Sequence, residues 1–464
     1  MCDTTGKFRE LDYFEEYFYC RTAHEYYTNF RVMAEYNIPL TPSHVHSALS
    51  MMLSKYSALV TDIQPYSDCQ LGKALTIVDS VKIDDVVEFI NDDKMCLEGM
   101  LEMCHDFVFK YGNNKPMWRM KVFNERYALV VFDHGLFDGT SGKNFHVEFA
   151  KALVATSNSD SNGKVVDVNS VIFDQSLVKH QLQPPPSSVM HLDGPWYCTL
   201  YAILLSISPK FIIDLLKYWF DLNPFARLLN YQQANFGALQ INKGETSTCR
   251  IIDIPAQKIS ALLNLSRTHG VKLTSLMLIL AQLSMEQFIG ASRKDTTTSI
   301  PVNARSYIDS QKGKTLSKDF SDNFGLYVSG LSLELPTIRK LCPDGKPNWE
   351  VIQTIHSYIH REAPRSLHGN GLLQYTTPAE YAKERYNEML NPTLEVSNLG
   401  AIPSTERGEV IEKAWFDQQP ETFSVNMITT ANVGTVTLRC VNEEWIDAFK
   451  ESLEMNIDAI LKAS

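Results

Sequence analysis

The pattern of apolar and polar positions divides the chain into two halves, each mixing strands with helices. The first half opens with a helix expected over Leu11 to about Tyr27. It leads into "NFRVMAEYN", where Phe30, Val32, Ala34 and Tyr36 alternate as in a strand. A second helix is signalled in "LTPSHVHSALSMMLSKYSAL": Thr41 is a cap, Pro42 takes the first helical position, and Val45, Leu49, Met52 and Leu53 form a stripe. Two strands follow, Pro116 to Phe123 and Arg126 to Phe132, separated by two residues as in a hairpin. "TSGKNFHVEFAKALV" then reads as a helix with Phe145, Phe149 and Leu153 on one side.

Between about residues 155 and 245 the character changes. "TSNSDSNGK" is polar and of low complexity, and "QLQPPPSS" is a proline break. The stretch Trp196 to Phe220 is the most lipid-like, but its apolar run stops at Pro209-Lys210, too short to cross a bilayer. After it, Lys210, Asp214 and Lys217 oppose Phe211, Ile212, Leu215, Leu216 and Trp219, an amphipathic face expected to pack on the protein's own core.

The second half repeats the mixed pattern. Strand "STCRIIDIP" leads to helix "AQKISALLNLSRTHG", closed by Gly270, and "VKLTSLMLILAQLSMEQFIG" is an apolar helix. A strand runs into "SIPVNARSYI", and "NFGLYVSGLSLEL", "TLEVSNLGAI", "TFSVNMITT" and "TVTLRCV" are strand-like. A terminal helix aligns Ile446, Phe449, Leu453, Ile457 and Ile460. Two units joined by a crossover are expected: residues 1–185, the crossover over 186–245, and residues 246–464. Neither half alternates as a doubly wound sheet does, so the fold class is α/β, two sandwiches with mixed sheets and a ligand channel between them.

A chain of 464 residues exceeds one hydrophobic core, in keeping with two units. The net charge of -11 argues against nucleic acid as a partner but leaves room for a local patch that binds an anion such as coenzyme A. The nine cysteines show no CxxC spacing, as expected for reduced thiols in the cytoplasm. The opening "MCDTTGKFRELDYFEE" is charged and lacks an apolar core, so no secretory signal is expected, nor any lipid anchor.

The candidate chemistry lies at "VVFDHGLFDG". His134 is the one histidine of twelve with an aspartate four residues on, Asp138, and Gly139 follows. HxxxD alone is a weak pattern. Its place at the end of an apolar strand, where a side chain is held rigidly, strengthens it. Competing motifs fail: "GKT" at Gly313 lacks a phosphate-loop glycine at Ile308, and Ser357 follows His356 where a zinc protease needs glutamate. No metal site is expected.

With these pieces in order along the chain, it resembles the fungal alcohol acetyltransferases. These lie within the CoA-dependent acyltransferases that include chloramphenicol acetyltransferase, plant HxxxD acyltransferases and peptide-synthetase condensation domains. The resemblance rests on "LDYFEEYFYCRTAHEYYTNF", "PMWRMKVF", "DHGLFDG", "VKLTSLMLILA", "PVNARSYI", "NFGLYVSG", "EVSNLG" and "FSVNMITTANVGTVTL". It implies two chloramphenicol acetyltransferase-like domains with the active site in the channel between them. It implies acetyl-CoA as cosubstrate, His134 as general base and no acyl-enzyme. Asp138, with Gly139, is then structural and pairs with Arg305 of the second half. Ser397, Asn398, Ser424 and Asn426 become candidates for the oxyanion or the substrate. "DNFGLYVSG" departs from the DFGWG of plant relatives, so Asn323 and Gly325 are expected to be structural.

The expected acceptor is a small, hydrophobic alcohol, giving an ester, or an amine. An N-acetyltransferase that detoxifies a sphingosine-like amine drug is one alternative, and a non-catalytic CoA- or lipid-binding relative is another. A cytoplasmic monomer is expected. Peripheral contact with endoplasmic reticulum or lipid droplets, known in such families, is opposed by the acidic face Asp447, Glu451, Glu454 and Asp458 of the last helix.

Overall fold

The computed structural model describes residues 8–67, 72–156, 170–196, 247–289, 296–387, 394–406, 408–418, 423–440 and 443–462, with four single positions between 199 and 209. Most of the expected crossover 186–245, including the amphipathic stretch after Pro209, lies outside them. Among the described residues no helix is long and apolar enough to cross a membrane.

In the first half α1 (Tyr13–Ala23) starts at a capping box, in which Glu15 N donates to Asp12 Oδ1 at 2.7 Å and Asp12 N to Glu15 Oε2 at 3.1 Å. It ends four residues earlier than its pattern suggests, because Glu25 turns into the left-handed region at φ 58°. The strands of this half are β1 (Phe8–Glu10), β2 (Asn29–Tyr36), β3 (Thr61–Pro65), β4 (Lys73–Ile77), β5 (Ser80–Lys82), β6 (Val87–Ile90), β7 (Trp118–Phe123), β8 (Tyr127–Asp133) and β9 (Val171–Asp174). Asn124 and Glu125, at φ 50° and 52°, form the tight turn between β7 and β8, and both positive angles match the twist a hairpin needs. The helix α2 (Pro42–Lys55) has Thr41 as its cap, and the motif helix Gly139–Thr156 packs on it and on β2.

The second half supplies β10 (Thr248–Pro255), β11 (Thr296–Asn303), β12 (Val328–Leu335), β13 (Leu394–Ala401), β14 (Ile411–Gln418), β15 (Phe423–Thr429) and β16 (Val433–Cys440). Six of these form one mixed sheet in the order β10-β16-β15-β13-β11-β12, with β13 parallel to both β11 and β15. One face carries an apolar core with the helices Ala256–Thr268, Leu273–Ser284, Trp349–Gly371 and Glu443–Lys462.

The remaining strand crosses over. β14 pairs antiparallel with β2 and completes a five-stranded sheet, β14-β2-β8-β7-β6, that otherwise belongs to the first half. The boundary drawn at residue 246 therefore does not separate the two sheets. "IEKAWFDQ" hid this strand, since its apolar run Ala414-Trp415-Phe416 is short and flanked by charges. With β14 on one side and β8 on the other, β2 is buried along its whole length, on both faces rather than the expected one. The proline break is packed as well. Gln183 Nε2 donates to Ser57 Oγ at 2.8 Å and to Asp319 O at 2.7 Å, and Met190 bridges to Ile308, so the break is part of the seam.

Candidate active site

His134 follows the last residue of β8, and its backbone N donates to Thr28 O at 3.2 Å. Its ring lies among Phe18, Tyr27 and Phe30, with centroids 5.6, 4.9 and 5.2 Å away. One part stays accessible, while Nδ1 is buried with no hydrogen-bond partner among the described residues. Desolvation, and after it the charge of Arg21, pushes the imidazole down to about 3, against the opposing pull of Asp138. A neutral imidazole at neutral pH follows.

Asp138 points away from that ring and is saturated. Its Oδ1 accepts from Ser141 N at 2.8 Å, which caps the motif helix, and its Oδ2 accepts from Tyr327 N at 2.8 Å. Arg305 Nη1 donates to Oδ2 at 2.8 Å and Nη2 to Oδ1 at 3.0 Å, a bidentate pair across the seam. Burial opposes ionisation, but Arg305 and the hydrogen bonds win and hold the carboxyl below its usual range. Arg305 also donates from Nε to Asp322 O at 2.6 Å and lies over the Tyr327 ring at 5.2 Å. These bonds explain why β12 begins only at Val328: Gly325 sits at φ 143° and Tyr327 N serves Asp138 instead of a ladder.

Ser141 is a site residue that the sequence reasoning missed. Its hydroxyl lies 2.9 Å from both Asp138 Oδ1 and Gly325 O, and it accepts from Gly325 N at 3.1 Å and Arg305 Nη2 at 3.1 Å. The signal was available, since Ser141 stands three residues after a capping aspartate. Gly139 starts the motif helix hard against the second half. A Cβ there would lie 2.9 Å from Leu399 Cδ2 and 3.3 Å from the Phe416 ring. Asn323 accepts from Asn144 Nδ2 at 3.0 Å through its carbonyl.

Of the other candidates, Ser397, Ser424 and Asn426 lie on the face of the second sheet turned toward β14. Tyr27 donates from its hydroxyl to Gln418 Oε1 at 3.1 Å, and Gln418 donates to Glu395. Glu395 and Leu399 thus touch groups around His134 and Gly139, and Ser397 lies between them on the same strand face. Ser397 pairs with Asn426, and Ser424 is two residues from Asn426 on the same face. Asn426 and Ser424 are fully buried, and neither the Asn426 amide nor Ser424 Oγ has a partner among the described residues. Asn398 is not part of this set. It faces the opposite way, donating to Thr274 Oγ1 at 3.1 Å and accepting from Gly400 N at 2.8 Å.

Beside this face lies a buried charge cluster that periodicity could not reveal. Asp417 of β14 accepts from Arg31 of β2 at 2.7 Å and from Arg439 of β16 at 2.6 Å, all three fully buried. The two arginines hold Asp417 down at about 2 against its desolvation. The crossover strand is thereby tied to both sheets.

The profile of alcohol acetyltransferases matches residues 10–455. The chain belongs to that family. As a member of the alcohol acetyltransferase family it is an acyltransferase. An uncharacterized protein of Schizosaccharomyces pombe is 24% identical to it over 451 residues, 93% of this chain and 91% of that one. Trichothecene 15-O-acetyltransferase from Fusarium sporotrichioides shares the fold, with a TM-score of 0.61, 11% identity, and 97% and 94% of the two chains covered. So does the first condensation domain of the CDA synthetase, with a TM-score of 0.59, 11% identity, and 98% and 96% covered. This alcohol acetyltransferase-family chain therefore has the two-lobed α/β architecture, with mixed sheets, of chloramphenicol acetyltransferase-like domains.

Proposed function

We propose that this chain transfers acetyl from acetyl-CoA to the hydroxyl or amine of a small, hydrophobic acceptor, with His134 as general base. The observation that carries the reading is an imidazole fixed at a strand end among three aromatic rings, backed by the Asp138–Arg305 pair. Nδ1 is the buried nitrogen, which leaves Nε2 to take the acceptor proton as the acceptor attacks the thioester carbonyl. Asp138 accepts no proton in this scheme. It holds the turn that aims His134, and its neighbours already fill its lone pairs.

Asn426, with Ser397 and Ser424 beside it, is the proposed source of hydrogen bonds to the tetrahedral oxyanion. An amide buried without partners costs about 1–3 kcal/mol, a cost expected where a site waits for a ligand. The rings of Phe18, Tyr27 and Phe30 around the base favour an apolar acceptor. Direct transfer needs both substrates bound together. Initial rates of CoA release, taken over paired concentrations of acetyl-CoA and a panel of alcohols and amines, test this. Intersecting lines support the ternary complex; parallel lines would demand an acyl-enzyme and overturn it.

A further inference from the structure

Arg21, in the last turn of α1, differs from the arginines that tie the seam. Arg9, Arg31, Arg305 and Arg439 each hold a carboxylate. The Arg21 guanidinium instead stands over three aromatic rings, Tyr17 at 5.6 Å, Phe18 at 5.3 Å and Tyr27 at 4.8 Å. Among the described residues its side chain has no hydrogen bond and no ion pair. The guanidinium is half-buried, and none of its nitrogens is among the buried unpartnered atoms, so its N–H donors face solvent and stay open to a ligand.

Two of the three rings also pack on His134, Tyr27 at 4.9 Å and Phe18 at 5.6 Å. Arg21 is therefore one ring away from the base, close enough for its charge to act on the imidazole. A thioester placed at His134 keeps the CoA phosphates a whole pantetheine arm away, so they do not reach this guanidinium. The acceptor does.

We propose that Arg21 recognises an anionic group, a carboxylate or phosphate, on an acceptor whose apolar part lies against Phe18, Tyr27 and Phe30. This rests on the reading of His134 as the base that meets the acceptor. The acetylated hydroxyl or amine would then be separated from the anion by a short carbon chain that spans the Tyr27 ring, and the guanidinium fork would orient it.

The test has a binding arm and a kinetic arm. Binding of hexanoate and of hexanol is measured by saturation-transfer NMR on the wild type, Arg21→Gln and Arg21→Lys. KM is compared for hydroxyhexanoate and hexanediol in the same proteins. The expected result is preference of the wild type for the carboxylate in both arms. Arg21→Gln loses about tenfold or more of the carboxylate affinity, with binding of hexanol unchanged, and Arg21→Lys keeps part of it. Equal affinity of the wild type for hexanoate and hexanol would overturn the proposal. So would an Arg21→Gln variant that weakens both compounds alike with a lowered melting temperature, the mark of a purely structural cage. Arg21-dependent binding of hexanoate without acetyl transfer to any acceptor would sink the acetyltransferase reading and leave the anion site standing.

Discussion

Asp138 and Arg305 meet through two parallel hydrogen bonds of 2.8 and 3.0 Å, joining the first residues of the motif helix to the second half directly behind His134. Both partners are largely removed from water, so the pair is a device of position more than of stability. Asp138→Ala leaves Arg305 without its carboxylate and Ser141 N and Tyr327 N without an acceptor. A loss of about 3–5 kcal/mol is expected, seen as a lower urea midpoint, with activity falling in parallel. Asp138→Asn keeps the cap and should lose less. An Asp138→Ala protein as stable as wild type would show that the pair does not join the halves.

The acid limb of kcat/KM reports the free base. Burial and Arg21 hold His134 near 3, so activity should persist well below pH 6.5, the ordinary value for histidine. Asp133, pushed up to about 7 by burial despite its bonds to Gly135 N and Tyr111, also titrates in the working range. A limb near 7 that disappears in Asp133→Asn belongs to that carboxyl. A limb near 6.5 that survives the substitution would contradict the desolvated base.

Stability has its own pH dependence. His105, His134 and His146 are held neutral, at about 3, 3 and 4, so between those values and 6.5 the unfolded chain binds more protons. Their contribution is full above 6.5 and is lost as pH falls. Asp12 and Asp133, raised to about 6 and 7, act in the opposite sense, since their folded forms keep protons that the unfolded chain releases. For His146 the cause is burial, which outweighs the opposing bond from Nε2 to Val32 O at 2.9 Å, while Nδ1 accepts from Tyr36 at 2.7 Å in the neutral ring. His146→Gln should flatten the acid side of the melting-temperature curve. An unchanged slope would show that this histidine is not titrating there.

Asn426 gives a prediction of unusual sign. Removing a buried amide that has no partner should leave stability unchanged or raise it. Loss of an oxyanion donor costs about 10²–10³ in kcat. Asn426→Ala should therefore be well folded by thermal melt and slow. A variant that is folded and fully active would remove Asn426 from the site.

How much of this was legible in the sequence follows from what local pattern can carry. The cap at Thr41, the turn at Asn124-Glu125 and the apolar stripe of the last helix are local, and each was readable. His134 and Asp138 stood in one short motif, and the Asp138–Arg305 contact came from resemblance rather than from periodicity. β14 escaped because its strand is defined by a partner, β2, nearly four hundred residues away in sequence. The Arg31–Asp417–Arg439 cluster escaped for the same reason, and β2 looked one-sided for want of the lobe that covers it. Asn398 and Ser397 are adjacent in the chain, yet strand alternation sends them to opposite faces.

The central claim is that His134 is the base. The most direct test is CoA release from acetyl-CoA by wild type and His134→Ala, with an acceptor that the wild type uses and with folding checked by circular dichroism. The expected loss is about 10²–10⁴-fold in kcat/KM in a protein that remains folded. A folded His134→Ala enzyme with wild-type turnover would contradict the account.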